Sequence, residues 1–306
     1  MSGVINTQKH PKLLWPGLQA IWGDYFYKQH DAEYSKIFDV SDSNKTYEED
    51  VQITGFGLAP VKAQGSTVTY DTEDQGFIQR YTHVAYALGY IVTHEEQKDN
   101  LNMEVGSRRT KGVAFSMNQT IETVAANILN RGFNSSYTYA DGKELLATDH
   151  PNTSGGTWSN ELATAADLSV ASIEDLVIQM MGATNDRGLQ IPIMPECLIV
   201  PRQEWYNANR ILGSQLESST ADNNLNVIRS TGTFPKGIVM NHYLDDSDAW
   251  FIKTNAPNGL KFLWRERPSF TNDGDFDTGN IKHKGYMRFI AGATDPRGIY
   301  GTPGAA

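Results

Sequence analysis

The residues best equipped for chemistry stand together in Asp149-His150-Pro151, where a carboxylate adjoins an imidazole. A carboxylate that orients a histidine, which then activates a nucleophile, is the arrangement of a hydrolase. Chain neighbours usually point apart, however, and no nucleophile motif accompanies the pair. A turn whose side chains serve nearby backbone groups is the competing reading. Asp273-Gly274-Asp275-Phe276-Asp277 is spaced like the opening of a calcium loop. The glycine falls at the seventh position rather than the sixth, and Lys284 stands where a bidentate Glu belongs, so a solvated acidic turn is expected. His94-Glu95-Glu96 lacks the second histidine that a zinc-protease helix carries four residues after the first. Arg108, Arg109 and Lys111 form a basic cluster, read as a solvated face or a set of intermolecular ion pairs, with phosphate contact as the sharper alternative. No P-loop, dinucleotide-type glycine motif or nucleophile elbow occurs. The residues call for no cofactor and no metal.

Bulk composition narrows the classes further. The chain has 306 residues, 39% of them hydrophobic, enough for a real core in one elaborated domain or two joined ones. Lys and Arg number 26 against 36 for Asp and Glu, a formal net charge of −10, opposite in sign to a protein that grips nucleic acid by neutralising phosphates. Cys197 is the only cysteine, which excludes an intrachain disulfide and a multi-thiolate zinc site and suits a reducing cytoplasm. Inside its apolar stretch it reads as a small buried hydrophobe. No apolar run approaches the ~20 residues needed to cross a bilayer, and the first residues carry none of the apolar stretch of a signal peptide. Asn-x-Ser/Thr matches at Asn44, Asn118, Asn134 and Asn152 are accordingly read as chance.

The elements that would carry these residues have an unusual order. Residues 1–46 are dense in aromatics, among them Trp15, Trp22, Tyr25, Phe26, Tyr27, Tyr34 and Phe38, with one short helix expected over Gly17–Lys28. Rings at this density rarely stay in water, so the segment should pack on its own domain or on a neighbouring copy. Residues 47–93 alternate in the period of a strand with one wet face, as in Val51–Thr54 and Thr67–Tyr70, with Tyr81–Thr93 expected as a more buried strand. Thr93 followed by Glu96 marks a capping box. Leu101, Val105, Val113, Met117, Ile121, Val124 and Ile128 then form one face of a helix of ~38 residues closed by Arg131-Gly132, with a bend near Gly106 and Gly112. Residues 133–245 are mixed. Ser169 or Ser172 caps a helix to Met181, Cys197–Val200 is a buried strand, and Pro201 opens a helix over Arg202–Leu212. Gly237–Leu244 and Ala249–Asn255 are strands joined by an acidic turn, and Gly259–Phe270 and Ile281–Thr294 are long strands.

This order, arm, extended loop, long helix, mixed region and returning strands, resembles the Hong Kong 97 phage-type capsid fold, an α+β architecture also shared by encapsulins. Particular stretches are similar to phage major capsid proteins related in places to the Mu-type head subunit. They are Ala114–Met117, Ala147–Pro151, Gly156–Asn160, Asn185–Gly188, Thr220–Asn223, Asn241–Leu244, Asp248–Thr254 and Asp295–Gly298.

The resemblance implies a fold with an N-terminal arm (1–46), an extended loop overlapping a neighbour (47–82), a peripheral domain with its strand and spine helix (83–132), an axial domain (133–245) and returning strands (246–306). It implies a non-enzymatic major capsid protein that assembles with itself into hexamers and pentamers of an icosahedral virion shell. The shell would enclose double-stranded DNA without sequence-specific binding and would be made in the host bacterial cytoplasm. Portal and scaffolding proteins are expected partners, a decoration protein is an optional one, and no membrane is involved. With no charged helical segment ahead of the arm, scaffolding is expected from a separate protein. Inter-subunit contacts are expected at Trp15, Trp22, Tyr25, Phe26, Phe56, Lys62, Arg80, Arg108 and Arg109. Some relatives weld subunits through a Lys–Asn bond; Lys62 lies in the right region, but nothing near it marks it as reactive. The rival readings are an encapsulin-like nanocompartment and, from another class, a hydrolase using Asp149 and His150.

Overall fold

The computed structural model describes residues 15–28, 32–99, 103–216 and 224–305, with backbone alone at 15, 16, 28, 97–99 and 103–105. In chain order, helix α1 (Trp15–Gly23) runs into a π-helical turn (Asp24–Lys28) and is followed by the short α2 (Tyr34–Ile37). Strands β1 (Asp39–Asp42), β2 (Tyr47–Ile53), β3 (Gln75–Thr82) and β4 (Val84–Val92) lead to α3 (His94–Asp99) and α4 (Met103–Asn130). Then come β5 (His150–Pro151), β6 (Thr157–Trp158), α5 (Val170–Met181), β7 (Pro195–Pro201), α6 (Trp205–Gly213) and α7 (Val227–Thr231). The remaining strands are β8 (Ile238–Asn241), β9 (Trp250–Thr254), β10 (Leu260–Gly274), β11 (Ile281–Ala293) and β12 (Ile299–Thr302).

Two four-stranded sheets organise the chain, in orders β1-β10-β11-β4 and β12-β9-β7-β8. Helix α4, 28 residues and so about 42 Å long, buries Val113, Ala114, Met117, Ile121, Ala125 and Leu129 at spacings of three and four. Opposite them lie Phe262, Trp264, Phe270, Met287 and Phe289 from β10 and β11. Close approach is possible because β11 has Gly285 at the crossing, where a Cβ would run into the Met117 sulfur and the Trp22 ring. Trp22 completes this core, stacked 5.3 Å from Phe26 and 5.0 Å from Phe270.

The second sheet is shared between two cores. Cys197, Ile199 and Phe251 face the α4 core, while Leu198, Val200, Trp250 and Ile252 face α5, α6 and α7. With both faces covered, the run Cys197–Val200 is apolar throughout rather than alternating. The small end of the fold is tied together by Glu122, fully buried on α4, whose oxygens accept the Glu33 and Tyr34 amides at 3.0 Å each and so cap α2.

Several sequence expectations change. The ~38-residue helix is described as α3 (His94–Asp99) and α4 (Met103–Asn130), and residues 100–102 between them lie outside the described residues. Thr93 does accept the Glu96 amide (3.3 Å), but the Glu96 carboxylate turns to Arg109 (2.5 Å) instead of closing the box, and the capped helix is the short α3. Leu101 lies outside the described residues, and α4 runs without interruption through Gly106 and Gly112. Thr67–Tyr70 has no strand partner and is irregular. Tyr81–Thr93 divides at His83, and β4, at the edge of its sheet, leaves Val84, Leu88 and Ile91 exposed. Pro201 ends β7 by pairing with Asn241, and the helix after it starts at Trp205. The two strands joined by the acidic turn are β8 and β9, with β7 lying between them in the sheet.

Candidate assembly surfaces

Strands β2 and β3 form the antiparallel stem of a hairpin. Its root is fastened by polar contacts. Asp50 accepts from Lys261 Nζ (2.6 Å) and from Thr294 Oγ1 (2.6 Å), and the Tyr81 hydroxyl lies 2.6 Å from that same Thr294 oxygen. Burial pushes the Tyr81 phenol far above its ordinary range. At the hinge between β3 and β4, His83 sits 3.1 Å from Ser43 Oγ, which donates to Glu48. Burial, with Arg288 and Arg265 adding, lowers the His83 pKa.

Beyond the stem, Thr54 and Asp74 pair across the neck, the Thr54 amide donating to Asp74 O at 3.0 Å. Residues 55–73 form the loop proper. Asp71 accepts the Gly57 amide (2.8 Å), and Arg187 reaches back to Asp71 and to the Thr72 carbonyl. These polar ties leave the apolar side chains bare: Phe56, Leu58, Val61, Val68 and Tyr70 are all exposed, Tyr70 at 92%.

The contact candidates fall into distinct groups. Trp22 and Phe26 are buried inside their own chain, the own-domain alternative for this segment, which corrects the inter-subunit contacts expected at these two residues. The cause is their spacing of four, which puts Leu18, Trp22 and Phe26 on one face of the helical segment, turned into the core. Tyr25 packs partly on that core, and the Trp15 side chain lies outside the described residues. Phe56 and Lys62 are exposed in the loop. Arg80 stacks 3.9 Å from the Tyr47 ring and pairs with Glu49 at 3.3 Å, so it braces the stem. Arg109 is engaged by Glu96, whereas Arg108 is exposed. Sequence reasoning named Tyr27 among the arm aromatics but not among the contacts; it is exposed while its hydroxyl donates to Pro268 O. That reasoning missed an apolar cleft between α5 and α7 lined by Ile178, Met181, Met194 and Val227.

Asp149 and His150 do not act together. Asp149 turns outward to Lys143 (2.5 Å), while His150 is fully buried and stacked on Trp158. Its Nδ1 lies 2.6 Å from Asp141 and its Nε2 lies 3.0 Å from Asn160 Oδ1. Asn160 also accepts the Ala147 amide (2.9 Å) and donates to the carbonyls of Leu145, Pro296 and Ile299. Beside it, Arg297 donates to Asp186, Asn152 and Thr184 O and lies over the Trp158 ring. Burial raises the Asp295 pKa against the pull of Arg297. Ser159, beside Asn160, gives its hydroxyl to Glu161 O. Four separate stretches of sequence thus meet in one buried polar knot that ties loops to β12 and contains no activated nucleophile. Cys197, fully buried, has its thiol pushed up to about 11 by desolvation, which makes it a poor nucleophile.

Among the described residues no group of His, Cys, Asp and Glu is arranged to hold a metal, and no helix is long and apolar enough to cross a membrane. In the acidic turn, Asp275 pairs with Lys282 (3.2 Å) and accepts the Asp277 amide.

Comparison with known proteins gives a consistent result. The family model described as phage capsid protein matches residues 78–302. No curated protein matches the chain. Among solved structures, the fold is similar to the capsid of a native GTA particle (TM-score 0.55, 11% identity, 100% of this chain and 93% of the other). It is similar to the capsid of the cyanophage P-SCSP1u (TM-score 0.56, 9% identity, 88% and 86%). It is also similar to a virus-like particle from Pyrococcus furiosus (TM-score 0.51, 10% identity, 94% and 98%).

Proposed function

The chain belongs to the phage capsid protein family, and from that premise we propose that its copies tile an icosahedral shell as hexamers and pentamers, each extended loop lying across the adjoining subunit. Its role is structural, as a major capsid protein of the virion, and its work is done at surfaces. The observation that carries the proposal is the loop of residues 55–73. It holds its own backbone with polar contacts yet exposes five large apolar side chains. Each such side chain gains ~1.5–3 kcal/mol on full burial, and a neighbouring copy is the surface that recurs at every loop.

The mechanism divides the chain into a rigid body and a movable part. Two sheets, α4 and the buried knot keep their shape, while the neck at Thr54 and Asp74 lets the loop take different angles in slightly different shell environments. The arm segment, with Tyr27 exposed, adds a second, smaller contact. Lys62 and Arg108 belong to the same set of proposed contacts, and no covalent weld is assigned to Lys62. Packaged DNA is contained rather than gripped, since a net charge of −10 repels phosphate at short range. Portal, scaffolding and decoration proteins are the partners this role calls for.

Because Thr54 and Asp74 already face each other, residues 55–73 can be replaced by a two-residue Asn-Gly turn. Electron microscopy of the expressed protein should show closed particles for the full chain, and folded but unassembled subunits for the shortened one. Closed shells from the shortened chain, or a full chain that stays monomeric at every concentration, would refute the proposal. A second reading, a shell around protein cargo, draws on the similarity to the Pyrococcus furiosus particle. Mass spectrometry of particle contents separates DNA from protein cargo.

A further inference from the structure

The tip of the β10–β11 hairpin carries Phe276, which is 99% exposed. The turn that presents it is firmly built: Asp275 N donates to Asn280 O at 2.8 Å and Gly279 N to Asp275 O at 2.9 Å, while the Asp275 carboxylate holds Lys282 and the Asp277 amide. Asp273 and Asp277 flank the ring, are exposed, and form no ion pair among the described residues. The hairpin thus ends in a phenyl knob framed by carboxylates.

A surface of the opposite character lies on the same subunit. On α4, Arg108, Lys111 and Phe115 share the outward face, at spacings of three and four. Phe115 is 51% exposed, and Arg108 and Lys111 form no ion pair among the described residues. Both surfaces belong to one end of the molecule: Gly279 at the tip approaches His94, Arg109 of α4 holds Glu96 of α3, and Thr110 meets Tyr90 of β4. The tip does not fold back onto that helix, since its ring is bare. An acidic aromatic knob and a basic aromatic seat, carried in equal number by one chain and unmatched within it, complement each other between copies.

We propose that Phe276 of one subunit seats against Phe115 on α4 of another copy, with Asp273 and Asp277 meeting Arg108 and Lys111. The inference rests on the capsid reading and deepens it by assigning a second contact, separate from the extended loop. Aromatic anchors ringed by charge dominate interface energies, so losing one should cost the assembly about tenfold or more in closed-particle yield.

Four full-length variants test it: Phe276→Ser, the tip reversal Asp273→Lys/Asp277→Lys, the helix reversal Arg108→Glu/Lys111→Glu, and both reversals combined. All alter exposed side chains, and their unfolding midpoints check that the fold survives. The first three should lose about tenfold or more of closed particles by electron microscopy, and the combined reversal should regain most of that loss. Wild-type yield from Phe276→Ser, or a combined variant as defective as either reversal, would overturn the proposal. A second measurement does not require shells. Phe276→Cys chains mixed at high concentration with Phe115→Cys chains under mild oxidation should form a mixed disulfide, with buried Cys197 a silent background. If the unaltered chain forms no particle, the capsid reading fails by itself, and the disulfide still decides the pairing: its absence overturns the contact.

Discussion

Asn160 shows how much of this molecule turns on single polar side chains. Its amide joins five partners from Leu145 to Ile299 without exposure to water. Substituting Asn160→Ala strands several of those groups, each costing ~1–3 kcal/mol; a total loss of ~3 kcal/mol or more should appear in urea unfolding, with the midpoint shifted and the slope unchanged. Histidine chemistry gives a pH signature at the same scale. Burial lowers the pKa of His83, with Arg288 and Arg265 adding, and burial also lowers that of His283. The unfolded chain takes up these protons near 6.5, the folded chain only at lower pH, so acid favours unfolding. Stability should be full above about pH 7 and decline as pH falls through about 6.5 towards the folded values. Comparing unfolding midpoints at pH 7.5 and 5.5 for the parent and for His83→Gln/His283→Gln checks this; an unchanged difference would contradict it. The sequence marks Asp149-His150 as noteworthy but misassigns the partner. Asp141 and Asn160 lie nine and ten residues from His150, and Arg297 over a hundred more, distances at which no local spacing rule operates.

Helices and strands were the most legible level. The three-and-four spacing from Val113 onward locates the core face of α4, and the Ser169 cap is seen with its reciprocal Ser172 bonds. What the spacing cannot give is which partner a capping side chain will choose. Glu96, expected to close a cap, is drawn instead to Arg109. Nor does a strand's apolar content reveal whether it will lie in the middle or at the edge of a sheet, as the exposure of β4 illustrates. Two glycines test the packing of these elements. At Gly285, a methyl would drive into Met117 and Trp22, so Gly285→Ala should destabilise by ~1–3 kcal/mol. At Gly112, on the open side of α4, Gly112→Ala should stabilise by ~0.5–1 kcal/mol. Chemical unfolding of the unassembled chain measures both, and equal signs would refute the placement of the helix.

For the whole molecule, assembly should show up as stability. If, as proposed, subunits bury one another's loops, mass action holds them folded, so shells should melt at a higher temperature than free chains, a gap that vanishes with residues 55–73 replaced; scanning calorimetry compares them. The order of parts was readable at this scale because the aromatic arm, punctuated loop and long helix are each visible in composition. Their docking was not, since it depends on pairings such as β1 with β10, Asp39 beside Lys261. The same long pairings bear on manufacture. The first strand of one sheet, β1, precedes the last strand of the other, Ile299–Thr302, by some 260 residues of synthesis. At ~5–20 residues per second that interval is roughly 15 to 50 s. A nascent chain therefore lacks a finished body until β12 has emerged, and contacts between copies that need that body wait for it.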